Sequence, residues 1–194
     1  MRDSLNPVDR FNRWFGRART AHDPMLDVAA LATAGATGKP TVRFVLLKQA
    51  DDRGFVFYTD RRSPKGRMLE ETPSAALAFY WDRIGRQVRI EGSVKEVSGE
   101  EADRYWASRE RGSQLSASAS VQSAPLQNRA DLVARVARLK RSFGDKSIPR
   151  PSYWTGFRLH PKRVEFWIRG ASRLHRRELF VLTGKRWKRV MLQP

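Results

Sequence analysis

The sequence predicts a mainly β fold, an antiparallel barrel with inserted helices in a single domain. Three observations predict it. About eight short runs carry the apolar or alternating pattern of strands. Most are joined by short turns, with helical periodicity inserted in two places, which favours an antiparallel barrel over a parallel α/β sheet. No Gly-rich dinucleotide fingerprint follows a strand. The 194 residues fit one domain, arranged as an N-terminal helix within 1–22, a helical insertion over 99–143 and C-terminal strands over 153–194.

Residues 7–21 read as an amphipathic helix, with Val8, Phe11, Trp14 and Phe15 at helical spacing and Pro7 suited to a helix start. Residues 27–34 read as a buried strand, 35–40 as a hairpin loop, 41–48 as the next strand, 50–54 as a turn and 55–59 as a further strand. Gly38-Lys39 is not a phosphate loop, because Pro40 stands where a Ser or Thr hydroxyl is needed. Ser63 can cap a short helix running to residue 71, with Pro64 at its first position. Strands follow at 75–81 and 87–97, the latter with Gln87, Arg89 and Glu91 on its polar face.

Residues 99–111 read as a helix, and Ser113 as the cap of another at 114–122. The amphipathic run at 128–143 is a third, with Leu132, Val136, Leu139 and Phe143 on its packing face. Pro149 to Pro151 is a rigid link. Four strands close the chain, near 153–160, 163–168, 173–182 and 186–192. In the second of these Val164, Phe166 and Ile168 alternate with Glu165 and Trp167.

Composition excludes several chemistries. Without Cys there are no disulfides, thiolate metal sites or cysteine nucleophiles, and the three His (His22, His160, His175) have no metal-ligand spacing. No apolar run reaches membrane-spanning length and no signal-type segment is visible at the N-terminus, so the expected compartment is the cytoplasm. The net charge of +18, from 38 Lys plus Arg against 20 Asp plus Glu, is spread along the chain. It permits phosphate ligands but predicts no specific nucleic-acid partner.

Three groupings point to chemistry. Arg173, His175 and Arg177 sit two apart and on an extended chain would share one face, two guanidiniums around an imidazole. That suits an anionic, planar substrate beside a titratable group. The alternative is a solvated charged edge strand. The helix start at Ser63 with Lys65 in its first turn is a ready anion site. Tyr105 and Arg109, four apart, with Ser113 beyond, would form a cup for a phosphate. Arg43 and Lys48 point to opposite faces by strict alternation, so they serve one ligand only where a bulge or strand end intervenes.

In order, Arg43-Phe-Val-Leu-Leu-Lys48, Phe57-Tyr-Thr59, Ser63-Pro-Lys65, Arg86 to Gly92, Tyr105 to Gln114, Gln122-Ser123, Pro151 to Trp154, Glu165-Phe-Trp167 and Arg173-Leu-His175 resemble the pyridoxine (pyridoxamine) 5′-phosphate oxidases. The resemblance runs from about Pro7 to the C-terminus. It implies an antiparallel split-barrel homodimer with FMN at the subunit interface. FMN would be held by Arg43, Phe44, Val45, Leu46, Leu47, Lys48, Tyr58, Thr59, Lys65 and Gln87, with Gln122, Ser123, Trp167 and Arg177 reaching it from the other subunit. The substrate phosphate would lie on Lys48, Tyr105, Arg109 and Ser113. Arg173 and His175 would be catalytic and, with Leu174, flank the substrate ring.

The implied reaction converts the 5′-phosphates of pyridoxine and pyridoxamine to pyridoxal 5′-phosphate, with O2 as acceptor. Four departures stand out: Pro64 where the family has Arg, with Arg62 or Arg67 as candidate replacements; no Gly-Ala-Trp in 115–121; Arg176 for an Asp; and no N-terminal arm before Asn6. The competing readings are a flavin oxidase of the same fold acting on another ring, as in phenazine biosynthesis, and a non-catalytic flavin- or nucleic-acid-binding module.

Overall fold

A computed structural model describes residues 6–194. The segment before Asn6, to which the missing arm refers, lies outside the described residues. The helices are α1 (Pro7–Thr20), α2 (Pro64–Glu71), α3 (Gly99–Ala107), α4 (Arg111–Ala119) and α5 (Arg129–Phe143). The strands are β1 (Val28–Ala34), β2 (Pro40–Leu46), β3 (Gln49–Asp51), β4 (Gly54–Asp60), β5 (Ser74–Trp81), β6 (Arg86–Glu96), β7 (Trp154–Ile168), β8 (Arg176–Thr183) and β9 (Arg186–Leu192).

These nine strands form one sheet in the order β2-β1-β5-β6-β7-β4-β3, with β8 added to β7 and β9 to β8. Every pairing is antiparallel. The sheet curls around α1. Phe11 meets Phe55 on β4 and Phe79 on β5 edge-on, at 4.9 and 5.0 Å, while Trp14 meets Phe166 on β7 at 4.9 Å. One helix therefore fills the interior of a half-barrel whose strands lie on several sides of it. Asn6 caps α1 through Val8 N–H at 3.0 Å, and Pro7 occupies the first turn, where its missing N–H costs nothing.

Arg10 fixes the helix electrostatically. It forks onto Glu178 on β8 at 2.9 and 3.2 Å, with its guanidinium 4.5 Å from the centre of the Phe166 ring. Glu178 is 1% exposed and also takes Arg176 at 2.8 Å and Arg189 at 3.4 Å.

Five local expectations are corrected. The 50–54 turn begins later, because pairing resumes at once in β3, opposite Val56 and Phe55. The strands expected at 153–160 and 163–168 are one long strand, β7, which carries Pro161 through a bulge opposite Glu91 and Gly92. A Cβ on Gly92 would lie 2.0 Å from the His160 carbonyl oxygen, so only glycine fits there. Below the bulge β7 pairs with β4 and above it with β8, which splits the sheet.

The strand expected from 173 starts at Arg176, because Ser172 and Arg173 take left-handed φ values of 49° and 63° in a 3₁₀ turn. The 99–111 helix ends at Ala107, so Tyr105 and Arg109 do not share one helix face. The next helix opens at Arg111 with Glu110 in the cap position, which puts Ser113 inside its first turn rather than at its cap.

Candidate functional site

A cleft of about 600 Å³ opens between the end of β2, β4, the start of α2 and the α3–α4 junction. Phe44, Val45, Leu46, Lys48, Tyr58, Thr59, Lys65 and Gln122 line it together with Tyr105, Arg109 and Ser113. Residues expected to hold the cofactor and residues expected to hold the substrate phosphate thus share one cavity. β2 ends at Leu46, so Lys48 lies past the strand, free of its alternation. Leu47 is the exception in this run: its side chain is buried in the core, which leaves only its backbone for any ligand.

The Lys65 grouping follows from local sequence. Ser63 caps α2 through Gly66 N–H, and its hydroxyl also accepts from Lys65 Nζ at 3.1 Å. Lys65 is buried and donates to Gln122 Oε1 at 2.5 Å, an oxygen that accepts from Thr59 Oγ1 at 2.7 Å as well. Gln122 therefore sits on Thr59 and Lys65 of its own chain. Burial and the nearby charge of Arg43 push the Lys65 ammonium down to about 8, against the pull of Asp60. Arg43 donates to Leu31 O at 3.1 Å and Thr33 Oγ1 at 2.7 Å, and burial lowers its pKa too. Among the described residues, neither cation is paired with a carboxylate.

Arg62 and Arg67, the candidate replacements for the charge missing at Pro64, both make contacts within the protein. Arg62 is committed to Asp60 (Nη2–Oδ2 2.7 Å) and to Ser120 O, with its guanidinium 3.3 Å from the centre of the Tyr153 ring. Burial pushes the Asp60 carboxyl up, but the Arg62 hydrogen bonds outweigh it and hold Asp60 below the ordinary carboxylate range. Arg67 is exposed and donates to Arg62 O.

The second cationic grouping is Arg109. Its guanidinium lies 4.9 Å from the centre of the Trp154 ring and donates to Ser113 O at 3.2 Å, while its Nε is buried without an acceptor. Burial lowers its pKa. An unsatisfied, buried donor on a half-buried cation fits an anion that the protein itself does not provide. Tyr105 stacks on Tyr58 at 3.9 Å, and Tyr58 on Trp154 at 5.2 Å. Burial, helped by Glu101, pushes the Tyr58 phenol up to about 12, so it stays protonated. Lys48 has a loose pairing with Asp27 at 3.4 Å.

The remaining candidates do not line this cleft. Gln87, Trp167 and Arg177 are direct cross-strand neighbours on β6, β7 and β8. Within one chain Gln87 lies in this row, apart from the residues that line the cleft. Arg177 is paired with buried Glu165 at 2.8 Å, which raises its pKa. The His175 ring lies 4.5 Å from Trp167, and its Nδ1 accepts from Gly170 N–H at 3.2 Å. A Cβ on Gly170 would sit 2.0 Å from Leu174 O, so this loop closes only around glycine. Arg173 and Leu174 are exposed beside it. Arg173, His175 and Arg177 are not one strand face, since the first two precede β8 in the turn. Ser123, with φ 67°, lines a separate pocket with Leu126 and Leu132.

Comparison with known proteins gives this geometry a context. Residues 20–143 match the family profile described as pyridoxamine 5′-phosphate oxidase. Residues 154–194 match the pyridoxine 5′-phosphate oxidase C-terminal dimerisation region. The chain belongs to the pyridoxamine 5′-phosphate oxidase family.

Pyridoxine/pyridoxamine 5′-phosphate oxidases of this family from Rubrobacter xylanophilus and Anaeromyxobacter dehalogenans are each 47% identical over 97% of the chain, covering 87% and 96% of their own lengths. The crystal structure of PhzG from Burkholderia lata, in complex with tetrahydrophenazine-1-carboxylic acid, superposes with a TM-score of 0.95. It is 35% identical and matches over 100% of this chain and 95% of that one. An FMN-binding protein from Nostoc punctiforme shares the fold at TM-score 0.74 and 18% identity, over 93% of this chain and 97% of its own.

Within the family frame, sequence reasoning missed Glu110, the sole carboxylate among the residues lining the cleft. It also missed the buried pairs of Arg158 with Asp51 and Glu101. Their partners are far apart in sequence, and no spacing rule links them.

Proposed function

We propose that the chain is an FMN-dependent oxidase that converts pyridoxine 5′-phosphate and pyridoxamine 5′-phosphate to pyridoxal 5′-phosphate. O2 is reduced to H2O2, and with the amine, water is consumed and ammonia released. The observation that carries this reading is a pair of cationic groupings without carboxylate partners: Lys65, which lines the cleft and has Arg43 close by, and Arg109, which lines the same cleft. A buried ammonium without a counter-ion, as at Lys65, and a buried guanidinium N–H without an acceptor, as at Arg109 Nε, are unfavourable unless a ligand supplies the partner. Two such groupings suit two phosphates, one on the cofactor and one on the substrate.

In this reading the FMN phosphate lies on Lys65, Arg43 and the first turn of α2. Gln122 and Thr59 fix the Lys65 ammonium, and Phe44 to Leu46 with Tyr58 form the wall of the cleft. FMN supplies the two-electron acceptor and the route to O2. The substrate phosphate lies on Lys48, Tyr105, Arg109 and Ser113, which anchors the far end of the molecule and holds its C4′ carbon in place. His175, with Nδ1 occupied by Gly170 N–H, presents Nε2–H as a donor to a ring substituent. Arg173 provides positive charge beside it. The match to a dimerisation region supports a homodimer in which the Gln87, Trp167, His175 and Arg177 row of one protomer completes the cleft of its partner.

A second reading is supported by the likeness to PhzG: a flavin oxidase acting on a tricyclic acid without phosphate. The unsatisfied Arg109 favours the phosphorylated substrate. The deciding experiment is an absorbance spectrum of the purified protein, followed by anaerobic addition of pyridoxine 5′-phosphate and then air. The expected result is flavin bands that bleach, then return as pyridoxal 5′-phosphate appears. Flavin bands that ignore this substrate but respond to a reduced phenazine acid would favour the second reading, and a protein that takes up no flavin would overturn both.

A further inference from the structure

Arg158 belongs to neither group of candidate site residues, yet it joins the two walls of the cleft. It is buried on β7, at 5% exposure, and its guanidinium is shared between carboxylates on two other elements. Nη1 donates to Asp51 Oδ1 at 3.1 Å, and Nη2 to Glu101 Oε1 at 2.5 Å. Asp51 ends β3, the short strand that follows Lys48. Glu101 lies in the first turn of α3, one helical turn before Tyr105 and on the same face. A single side chain thus ties the segment carrying Lys48 to the helix carrying Tyr105, and that helix leads directly to Arg109.

The surroundings make the tie stiff. Val56, Val97 and Ala102 form a small buried cluster beneath α3, with Tyr58 packed against it. Arg53 braces the carboxylates from the solvent side, bonded to Asp51 at 3.0 Å and 4.0 Å from Glu101. The apolar cluster alone would hold α3 on the sheet. It would not fix how far the helix slides or turns, because apolar contacts are not directional. A planar guanidinium forked between two carboxylates does fix it.

We infer that Arg158 is a positioning residue for the phosphate end of the substrate, setting the spacing of Lys48 from Tyr105 and Arg109. The inference rests on the function proposed above. It predicts a defect in recognising phosphate, which a purely structural ion pair would not produce.

The test is steady-state kinetics of the flavin-loaded enzyme with pyridoxine 5′-phosphate and with unphosphorylated pyridoxine. Wild type, Arg158→Met, Arg158→Lys and Glu101→Gln are compared, with melting temperature and flavin content recorded for each. In Arg158→Met the KM for the phosphorylated substrate should rise at least about tenfold with a smaller change in kcat. The KM for pyridoxine should stay near wild type, so that the preference for phosphate shrinks. Arg158→Lys should recover part of it, since one ammonium reaches one carboxylate at a time. Glu101→Gln weakens the same tie with little change in shape and carries the test where Arg158→Met does not fold. Flavin-loaded variants that keep the wild-type preference, even with lowered melting temperatures, would overturn the assignment. A wild-type enzyme without any preference for phosphate would overturn the functional reading, and this inference with it.

Discussion

The ammonium of Lys65 donates to Gln122 Oε1 at 2.5 Å, with the Arg43 charge near enough to help depress its pKa to about 8. The pair is a neutral acceptor and a destabilised cation, held where an anion would relieve the destabilisation. Its consequences for flavin binding and for stability have opposite signs.

An FMN phosphate raises the Lys65 pKa, so binding takes up a proton wherever the free protein has lost it. Flavin affinity should therefore fall by up to about tenfold per pH unit above pH 8. Titration calorimetry in buffers of different ionisation enthalpy reads the proton uptake directly. The flavin-free protein should behave in the reverse sense. Its folded-state pKa lies below the unfolded value of 10.5, so between about 8 and 10.5 the unfolded chain binds more protons and this group's contribution to stability rises with pH. Lys65→Met should abolish both dependences. Flavin affinity that is flat from pH 7 to 10 in the wild type would contradict the assignment.

Arg109→Ala should raise KM for pyridoxine 5′-phosphate and lower kcat/KM by about 2–5 kcal/mol of transition-state stabilisation. The cause is loss of a desolvated charged contact at a donor, Nε, that no protein group satisfies. Arg109→Lys should not restore it, because an ammonium cannot both lie over Trp154 and present the same fork. Unchanged kcat/KM in the alanine variant would remove Arg109 from the phosphate site.

Glu178 holds three guanidiniums from three elements, Arg10, Arg176 and Arg189. Glu178→Gln should destabilise the fold by about 3–5 kcal/mol, because it leaves the buried Arg10 without its countercharge. The Arg10 hydrogen bond, with the three positive charges, outweighs burial and lowers the Glu178 pKa. Its stabilisation is therefore complete above the unfolded carboxylate value near 4.5 and is lost as pH falls through the lower folded value. Between pH 7 and 3 the thermal melts of wild type and variant should draw closer toward the acid end, by up to about 2 kcal/mol, since each pH unit below the unfolded value removes at most about 1.4 kcal/mol. A constant gap across that range would mean that the carboxylate charge is not what holds α1.

What could be read in the sequence was whatever is set by local pattern. The amphipathic stripe of α1, the Ser63-Pro64 start of α2 and the alternation in β7 all emerge at their expected places, since period and capping act over a few residues. The joining of Lys48, Tyr58, Lys65, Tyr105, Arg109 and Gln122 in one cleft came from family resemblance, because no periodicity relates positions on different strands and helices. The left-handed backbone at Ser172 and Arg173 was not legible. Neither residue favours positive φ, so nothing local announced that the Arg173–His175 segment is a turn instead of a strand. Arg158 was missed for the reason that makes it interesting: its partners lie 107 and 57 residues away.

That turn supplies the last prediction. Gly170 closes the loop that places His175 against Trp167, and a Cβ there would meet Leu174 O at 2.0 Å. Gly170→Ala must open the loop and break the Gly170 N–H to His175 Nδ1 bond. The loop is peripheral, with residues 171–174 exposed, so global stability should change by less than about 2 kcal/mol. Turnover should suffer far more, with kcat/KM falling on the order of a hundredfold, because His175 loses both its position and the bond that keeps the proton on Nε2. His175→Ala supplies the reference. If the loop acts only through His175, adding Gly170→Ala to that variant should cost little more activity, the non-additivity expected of residues that act as a unit. Full additivity would mean that the loop contributes through Arg173 or Leu174 instead.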